Sequence, residues 1–213
     1  MFKKQTKTKN VKNYRTENNK LAYSVSQVTY NGTNNKYHKH LEDSGYLYDK
    51  ELSKEYKVYH NSNTKKSIIG YKGTTSYNDV LIDIDGIALN NFEHPEFIKA
   101  NDIYAKVKDK YGDNILTTGH SLGSTTAIKI AKKNDTNSIS FSPGTSPLYK
   151  LNANDKNKVY RQGNDQISRY ITGNVENIPV AKKAIYGLGN DTPLYFINQL
   201  DDHSLQNFDE TFF

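Results

Sequence analysis

The sequence contains no cysteine among its 213 residues, which excludes disulfide bonds, thiolate metal sites and a thiol nucleophile. It has no apolar run long enough to cross a membrane, and residues 1–6 lack the apolar core of a signal peptide. We therefore expect a soluble chain whose compartment the sequence does not specify. Apolar residues make up only 35% of the chain, and the mean hydropathy is −0.84. Asparagine, lysine and tyrosine are abundant where other proteins have apolar residues, so we expect some of the 17 tyrosines to pack in the core.

The excess of positive charge lies in one short segment. Residues 1–20 contain seven basic residues and one acidic residue, a net charge of +6 that equals the formal net charge of the whole protein. The rest of the chain is neutral, with 22 basic and 22 acidic residues. We interpret residues 1–20 as a flexible, solvated tail, or as a segment in weak contact with an anionic membrane surface. Specific nucleic-acid binding is not expected, because the body of the protein has no excess of basic residues.

The remaining residues, 21–213, are predicted to form a single domain, since this length is enough to bury one sizeable core. Segments with strand-like and helix-like patterns alternate along it. Strands are predicted at 56–60, 67–71, 115–116, 138–141, 158–161 and 167–172, helices at 21–28, 78–87, 96–111 and 122–131, and a polar surface segment at 37–55. This alternation predicts an α/β fold with a mostly parallel central sheet and helices on both faces.

The residues around Ser121 predict a nucleophile. Ser121 is the centre of a Gly-x-Ser-x-Gly sequence, from Gly119 to Gly123, between an apolar strand and a helix. In α/β-hydrolases this sequence forms a sharp, strained turn that exposes the serine hydroxyl. Glycine two residues before and two residues after the serine avoids side-chain collisions in such a turn. The free amide of Leu122, at the helix N-terminus, would form half of an oxyanion hole.

A serine hydroxyl needs a neighbouring base, and that base needs an orienting acid. In α/β-hydrolases both follow the serine along the chain, the acid first. His203 is the only histidine after the turn and is the predicted base, whereas the side chain of His120 is expected to point away from that of the serine. Asp165 is the preferred acid, because it lies in a loop just after a predicted strand. The other acidic residues in this interval are Asp135, Asp155, Glu176, Asp191, Asp201 and Asp202.

The second amide of the oxyanion hole is expected from the loop after an early strand, where Thr74 follows Gly73. Together with the segments above, this loop resembles the class 3, or fungal-type, lipases. Six motifs carry the resemblance in order: Tyr71–Thr74, Asp79–Asp83, His94–Phe97, Gly119–Gly123, Asn164–Ile167 and His203–Phe208. The resemblance covers about residues 56–208.

The resemblance to class 3 lipases implies an α/β-hydrolase fold and hydrolysis of carboxylic esters of lipids, with no metal or organic cofactor. It implies a triad of Ser121, Asp165 and His203, with oxyanion amides from Thr74 and Leu122. The lid of that family would fall within residues 75–93, although core packing explains the apolar residues there equally well.

Three residues depart from the pattern of that family. Lys72 replaces its usual arginine, and Glu96 and Ser124 each stand where glycine is usual. Two alternative functions therefore stay open at this point. The same triad could transfer the acyl group to an alcohol or an amine, or the protein could be a non-catalytic, lipase-like interaction or particle protein.

Overall fold

The computed structural model describes residues 14–73, 94–145, 150–163, 165–178 and 203–212. The strands are β1 (Leu47–Tyr48), β2 (Lys57–Asn61), β3 (Lys66–Tyr71), β4 (Ile115–Ser121), β5 (Asn137–Pro143), β6 (Leu151–Ala153), β7 (Asn157–Gln162), β8 (Ile171–Gly173) and β9 (Val175–Ile178). The helices are α1 (Glu17–Asn31), α2 (Lys36–Asp43), α3 (Pro95–Tyr111), α4 (Leu122–Lys133), a 3-10 helix (Leu205–Phe208) and α5 (Asp209–Phe212).

The larger sheet is mostly parallel, with the strand order β1-β2-β3-β4-β5-β7-β9, and a smaller sheet pairs β6 with β8. The strands from β3 to β9 in that order run parallel, whereas β1 and β2 add two antiparallel pairings at one side. Tyr71 pairs with Gly119, and Ser121 pairs with Pro143. The carboxyl ends of β3, β4 and β5 are therefore aligned, so the loops that follow them meet at one edge of the sheet.

Helices cover both faces of this sheet. On one face Val25 of α1 joins Ile68 in a buried cluster, and on the other face Phe97 of α3 and Ala127 of α4 join Ile69 in a second cluster. Ile68 and Ile69 belong to different clusters because successive side chains of a strand point to opposite faces. The predicted α/β fold, with a mostly parallel sheet between two helical layers, is confirmed.

Tyrosines supply part of the core, as the low apolar content suggests. Tyr23, Tyr59, Tyr71 and Tyr160 are fully buried. The ring of Tyr23 in α1 stacks on Phe212 of α5, with ring centroids 5.7 Å apart. This contact places the end of the described chain beside α1.

The N-terminal part of the domain contains more structure than the sequence predicts. α1 begins at Glu17 rather than at residue 21, because the Thr16 side chain accepts a hydrogen bond from the backbone amide of Asn19 at 3.4 Å and caps the helix. The side chain of Asn35 caps α2 in the same way. The expectation of a polar surface segment at 37–55 is incomplete, because this segment contributes most of α2 and the strand β1.

Several predictions lie outside the described residues. They concern the basic residues 1–13, Thr74, the helix at 78–87 and the lid within 75–93. The predicted boundary at residue 20, between a basic tail and a single domain, therefore stays a prediction. None of the helices that the structure describes is long and apolar enough to span a bilayer.

Candidate active site

The predicted turn is formed at Ser121, which ends β4 immediately before α4 begins. Its backbone has φ 55° and ψ −128°, a conformation that residues with a side chain adopt rarely and at a cost in strain. A Cβ added to Gly119 would collide with the carbonyl of Gly123, and one added to Gly123 would collide with the carbonyl of Tyr71. Both glycines are thus required for the close approach of α4 to β3 and β4, as the motif predicts.

The structure brings the three predicted triad residues together at the carboxyl edge of the sheet. His203 Nε2 lies 2.8 Å from Ser121 Oγ, although 82 residues separate them along the chain. His203 Nδ1 lies 2.9 Å from one carboxylate oxygen of Asp165 and 3.1 Å from the other. All three residues are buried. The contacts form one continuous line from carboxylate to imidazole to hydroxyl.

Asp165 is held in place by its own loop as well as by His203. One carboxylate oxygen accepts the backbone amides of Ile167 and Ser168 at 3.0 and 3.3 Å, and the other accepts the Ser168 hydroxyl at 2.7 Å. Burial alone would raise the pKa of Asp165, but the charge of His203 and the hydrogen bonds from His203 and Ser168 outweigh it and lower the pKa to about 2.

An ionised Asp165 fixes the tautomer of His203. A carboxylate only accepts hydrogen bonds, so His203 Nδ1 carries the proton and donates to it. His203 Nε2 is then the unprotonated nitrogen, and it accepts a hydrogen bond from the hydroxyl of Ser121. This is the arrangement in which an imidazole is able to act as a base toward a serine.

Two of the other acidic candidates that the structure describes are engaged in ion pairs elsewhere. Asp135 pairs with Lys156 at 2.7 Å, and Glu176 pairs with Lys158 at 3.3 Å.

The loop that follows Asp165 corrects the prediction of a strand at 167–172. Residues 167–170 are not a strand, because the amides of residues 167 and 168 bind the Asp165 carboxylate, and β8 begins only at residue 171.

Solved structures similar to this chain include fungal lipases. The Lip2 lipase of Yarrowia lipolytica is 17% identical over 70% of this chain and 71% of that chain, with a TM-score of 0.48. A triacylglycerol lipase from Penicillium expansum is 18% identical over 70% of each chain, with a TM-score of 0.42. The Rhizomucor miehei lipase, in a complex with its propeptide, is 15% identical over 71% of this chain and 62% of that chain, with a TM-score of 0.42.

No protein-family model matches the sequence, and no curated protein sequence matches it. The function proposed below therefore rests on the residues of this chain.

The predicted oxyanion hole falls only partly within the described residues. Leu122 is the first residue of α4, so its amide lies at the helix N-terminus, where partial positive charge accumulates. Thr74 lies outside the described residues, but Gly73 before it is described, and its backbone amide donates to the hydroxyl of Tyr30 at 3.2 Å. The described residues contain no cluster of three or more histidine, cysteine, aspartate or glutamate side chains that could hold a metal ion.

Of the three departures from the lipase pattern, Glu96 has a local explanation. Glu96 lies in the first turn of α3, where a negative charge is favoured by the helix dipole. It accepts the hydroxyl of Tyr56 at 3.2 Å and pairs with Lys99 at 2.9 Å. Ser124 is fully buried in the first turn of α4. Glu96 therefore helps to fix α3.

His120 has a role that the sequence did not predict. Its Nε2 lies 2.6 Å from the backbone carbonyl oxygen of His203, and the two imidazole rings are 4.9 Å apart. Burial is the main cause that lowers the pKa of His120 to about 3, with a further contribution from the charge of His203. The ring is therefore neutral at neutral pH, and Nε2 carries the proton that it donates to the carbonyl.

The neutral state of His120 predicts that stability falls as the pH falls. Its pKa in the folded protein, about 3, is below the ordinary value of 6.5, so the unfolded chain takes up the proton first. The stabilisation is complete above pH 6.5 and is lost progressively toward pH 3. Between pH 7 and pH 5 this residue alone lowers the free energy of unfolding by about 2 kcal/mol.

Urea unfolding of the parent and of His120→Gln at pH 7 and pH 5 measures this loss. The variant lacks the titrating ring, so its free energy of unfolding should fall by about 2 kcal/mol less than that of the parent. Equal losses in the two proteins would show that His120 is not held neutral by burial.

Proposed function

We propose that this protein is a serine hydrolase that cleaves carboxylic esters of lipids through an acyl-enzyme. The observation that carries the proposal is the unbroken line of short contacts from Asp165 through His203 to Ser121, at a strained turn between β4 and α4. A buried histidine with a fixed tautomer, 2.8 Å from a serine hydroxyl, is the constellation that activates a serine as a nucleophile.

In the first half of the reaction, Ser121 Oγ attacks the ester carbonyl while His203 Nε2 takes its proton. The carbonyl oxygen becomes an oxyanion, which the amides of Leu122 and Thr74 stabilise. His203 is then positively charged, and the carboxylate of Asp165 offsets that charge from 2.9 Å. The tetrahedral intermediate collapses when His203 gives its proton to the leaving alcohol, and the acyl group stays on Ser121.

In the second half, a water molecule replaces the alcohol. His203 Nε2 takes a proton from the water, whose oxygen attacks the acyl carbonyl. The second tetrahedral intermediate releases the carboxylic acid, and the proton on His203 returns to Ser121. The cycle restores both residues and uses no external group other than water.

The substrate class is proposed from the sequence motifs. The segments that hold Ser121, Asp165 and His203 resemble their counterparts in class 3 lipases, whose substrates are esters of lipids with alcohols such as glycerol. Triacylglycerols and phospholipids both carry such esters, so both belong in the test.

Turnover of a panel of esters tests the proposal. The panel holds chromogenic esters with short, medium and long acyl chains, a triacylglycerol emulsion and phospholipid vesicles, each with and without an added alcohol. We expect release of free fatty acid, with Ser121→Ala as the inactive reference. Acyl transfer to the added alcohol in place of acid release would favour the transferase alternative. Failure of the folded protein to turn over any ester would overturn the proposal and favour a non-catalytic protein.

A further inference from the structure

The hydroxyl of Tyr30, near the end of α1, lies between three parts of the candidate site. It accepts the backbone amide of Gly73 at 3.2 Å and donates to the backbone carbonyl of His120 at 3.2 Å. The Nδ1 atom of His120 lies 3.4 Å from the same hydroxyl. Burial raises the pKa of Tyr30, which keeps the hydroxyl protonated and able to donate. One side chain therefore joins α1, the loop after β3 and the turn at Ser121.

His120 extends this connection to the segment of His203. Its Nε2–H donates to the His203 carbonyl at 2.6 Å, which leaves Nδ1 as the unprotonated nitrogen that faces Tyr30. His120 is adjacent to Ser121, so this hydrogen bond attaches the backbone of His203 to the turn that holds Ser121. The side chain of His203 must reach the same turn. Asp165 fixes the rotation of the His203 ring, and His120 fixes the position of its backbone.

We propose that Tyr30 and His120 are positioning residues for the triad. They hold the segment of His203 and the loop of Gly73 against the turn, so that His203 Nε2 lies at hydrogen-bonding distance from Ser121 Oγ. The inference rests on the proposed function and goes beyond it, because it assigns a role in turnover to α1, which carries none of the triad residues. Displacing a reacting group by about 1 Å can lower a rate about 100-fold, so this attachment matters for turnover.

Conservative variants separate positioning from a merely structural role. Tyr30→Phe keeps the ring and removes the shared hydroxyl. His120→Gln keeps a side-chain N–H donor for the His203 carbonyl, whereas His120→Leu removes it. Tyr59→Phe is the matched control, because Tyr59 is fully buried and its hydroxyl contacts His38, at 2.7 Å, outside the site.

The assay is kcat and KM on a chromogenic ester, with kcat expressed per serine that reacts with a fluorophosphonate, so that unfolded molecules are not counted. We expect Tyr30→Phe to lower kcat about 10-fold, because it removes both hydrogen bonds of this hydroxyl at the site. We expect His120→Leu to lower it about 100-fold, with His120→Gln in between and Tyr59→Phe equal to the parent. A positioning role lowers kcat more than it changes KM.

Two results would overturn the inference while leaving the proposed function intact. The first is that Tyr30→Phe and His120→Leu have the same kcat per reactive serine as the parent and differ from it only in a lower melting temperature. The other is equal loss in His120→Gln and His120→Leu, which would show that the hydrogen bond to His203 does not matter. Absence of turnover in the parent itself would instead remove the proposed function.

Discussion

Replacing Ser121 with alanine is expected to lower kcat for ester hydrolysis by about 10⁶-fold, the effect of removing the serine from a Ser-His-Asp unit. The substitution removes the oxygen that forms the acyl-enzyme, so His203 and Asp165 have no nucleophile to activate. Alanine keeps the Cβ atom and therefore the same backbone conformation at φ 55°. The loss should appear in kcat with little change in thermal unfolding.

Ser124→Ala is the matched control for this substitution. Ser124 is buried in the first turn of α4, three residues after Ser121, and its hydroxyl has no hydrogen-bond partner among the described residues. Its removal should leave turnover close to that of the parent. If Ser121→Ala kept most of the parental turnover on esters, the nucleophile would be another residue and the proposed mechanism would be wrong.

Replacing Asp165 with asparagine is expected to lower kcat by about 10⁴-fold, because it favours the wrong tautomer of His203. One oxygen of Asp165 accepts the amides of Ile167 and Ser168, and the asparagine oxygen would take that position. The asparagine NH₂ group would then face His203 Nδ1, which can accept its hydrogen bond only when unprotonated. The proton would move to Nε2, and the ring could no longer accept the proton of Ser121.

Asp135→Asn is the comparison for this variant, since Asp135 pairs with Lys156 on the surface, at 2.7 Å. We expect it to match the parent in kcat on the same ester. Equal turnover in Asp165→Asn and Asp135→Asn would remove Asp165 from the mechanism. The orienting acid would then have to be sought among Asp191, Asp201 and Asp202.

The parts of the site that follow from local sequence were predictable. The glycines at 119 and 123 indicate a turn too tight for side chains, and the structure places their Cβ positions against backbone atoms. The prediction of a sheet with helices on both faces likewise agrees with β3, whose consecutive residues Ile68 and Ile69 are buried on opposite faces. His203 was found by elimination, since it is the only histidine after the turn.

Other features depend on contacts between distant residues, which a single sequence does not reveal. Tyr30 and His120 are 90 residues apart, and no local pattern distinguishes Tyr30 from the other 16 tyrosines. The segment after Asp165 contains isoleucine and tyrosine and so has strand character, but its first amides bind the carboxylate and form a turn instead. The short helix α2 was missed because its residues are mostly polar and only Leu41 is buried.

The most direct test of the account is covalent labelling of the parent protein with a fluorophosphonate, followed by mass spectrometry of its peptides. The phosphonyl group should attach to Ser121 alone, at one group per molecule, because this hydroxyl stands at the strained turn before α4 and lies 2.8 Å from His203, which the buried carboxylate of Asp165 orients. His203→Ala should slow the labelling by several orders of magnitude. Folded parent protein that stays unlabelled, or that carries the label on a different serine, would contradict the account.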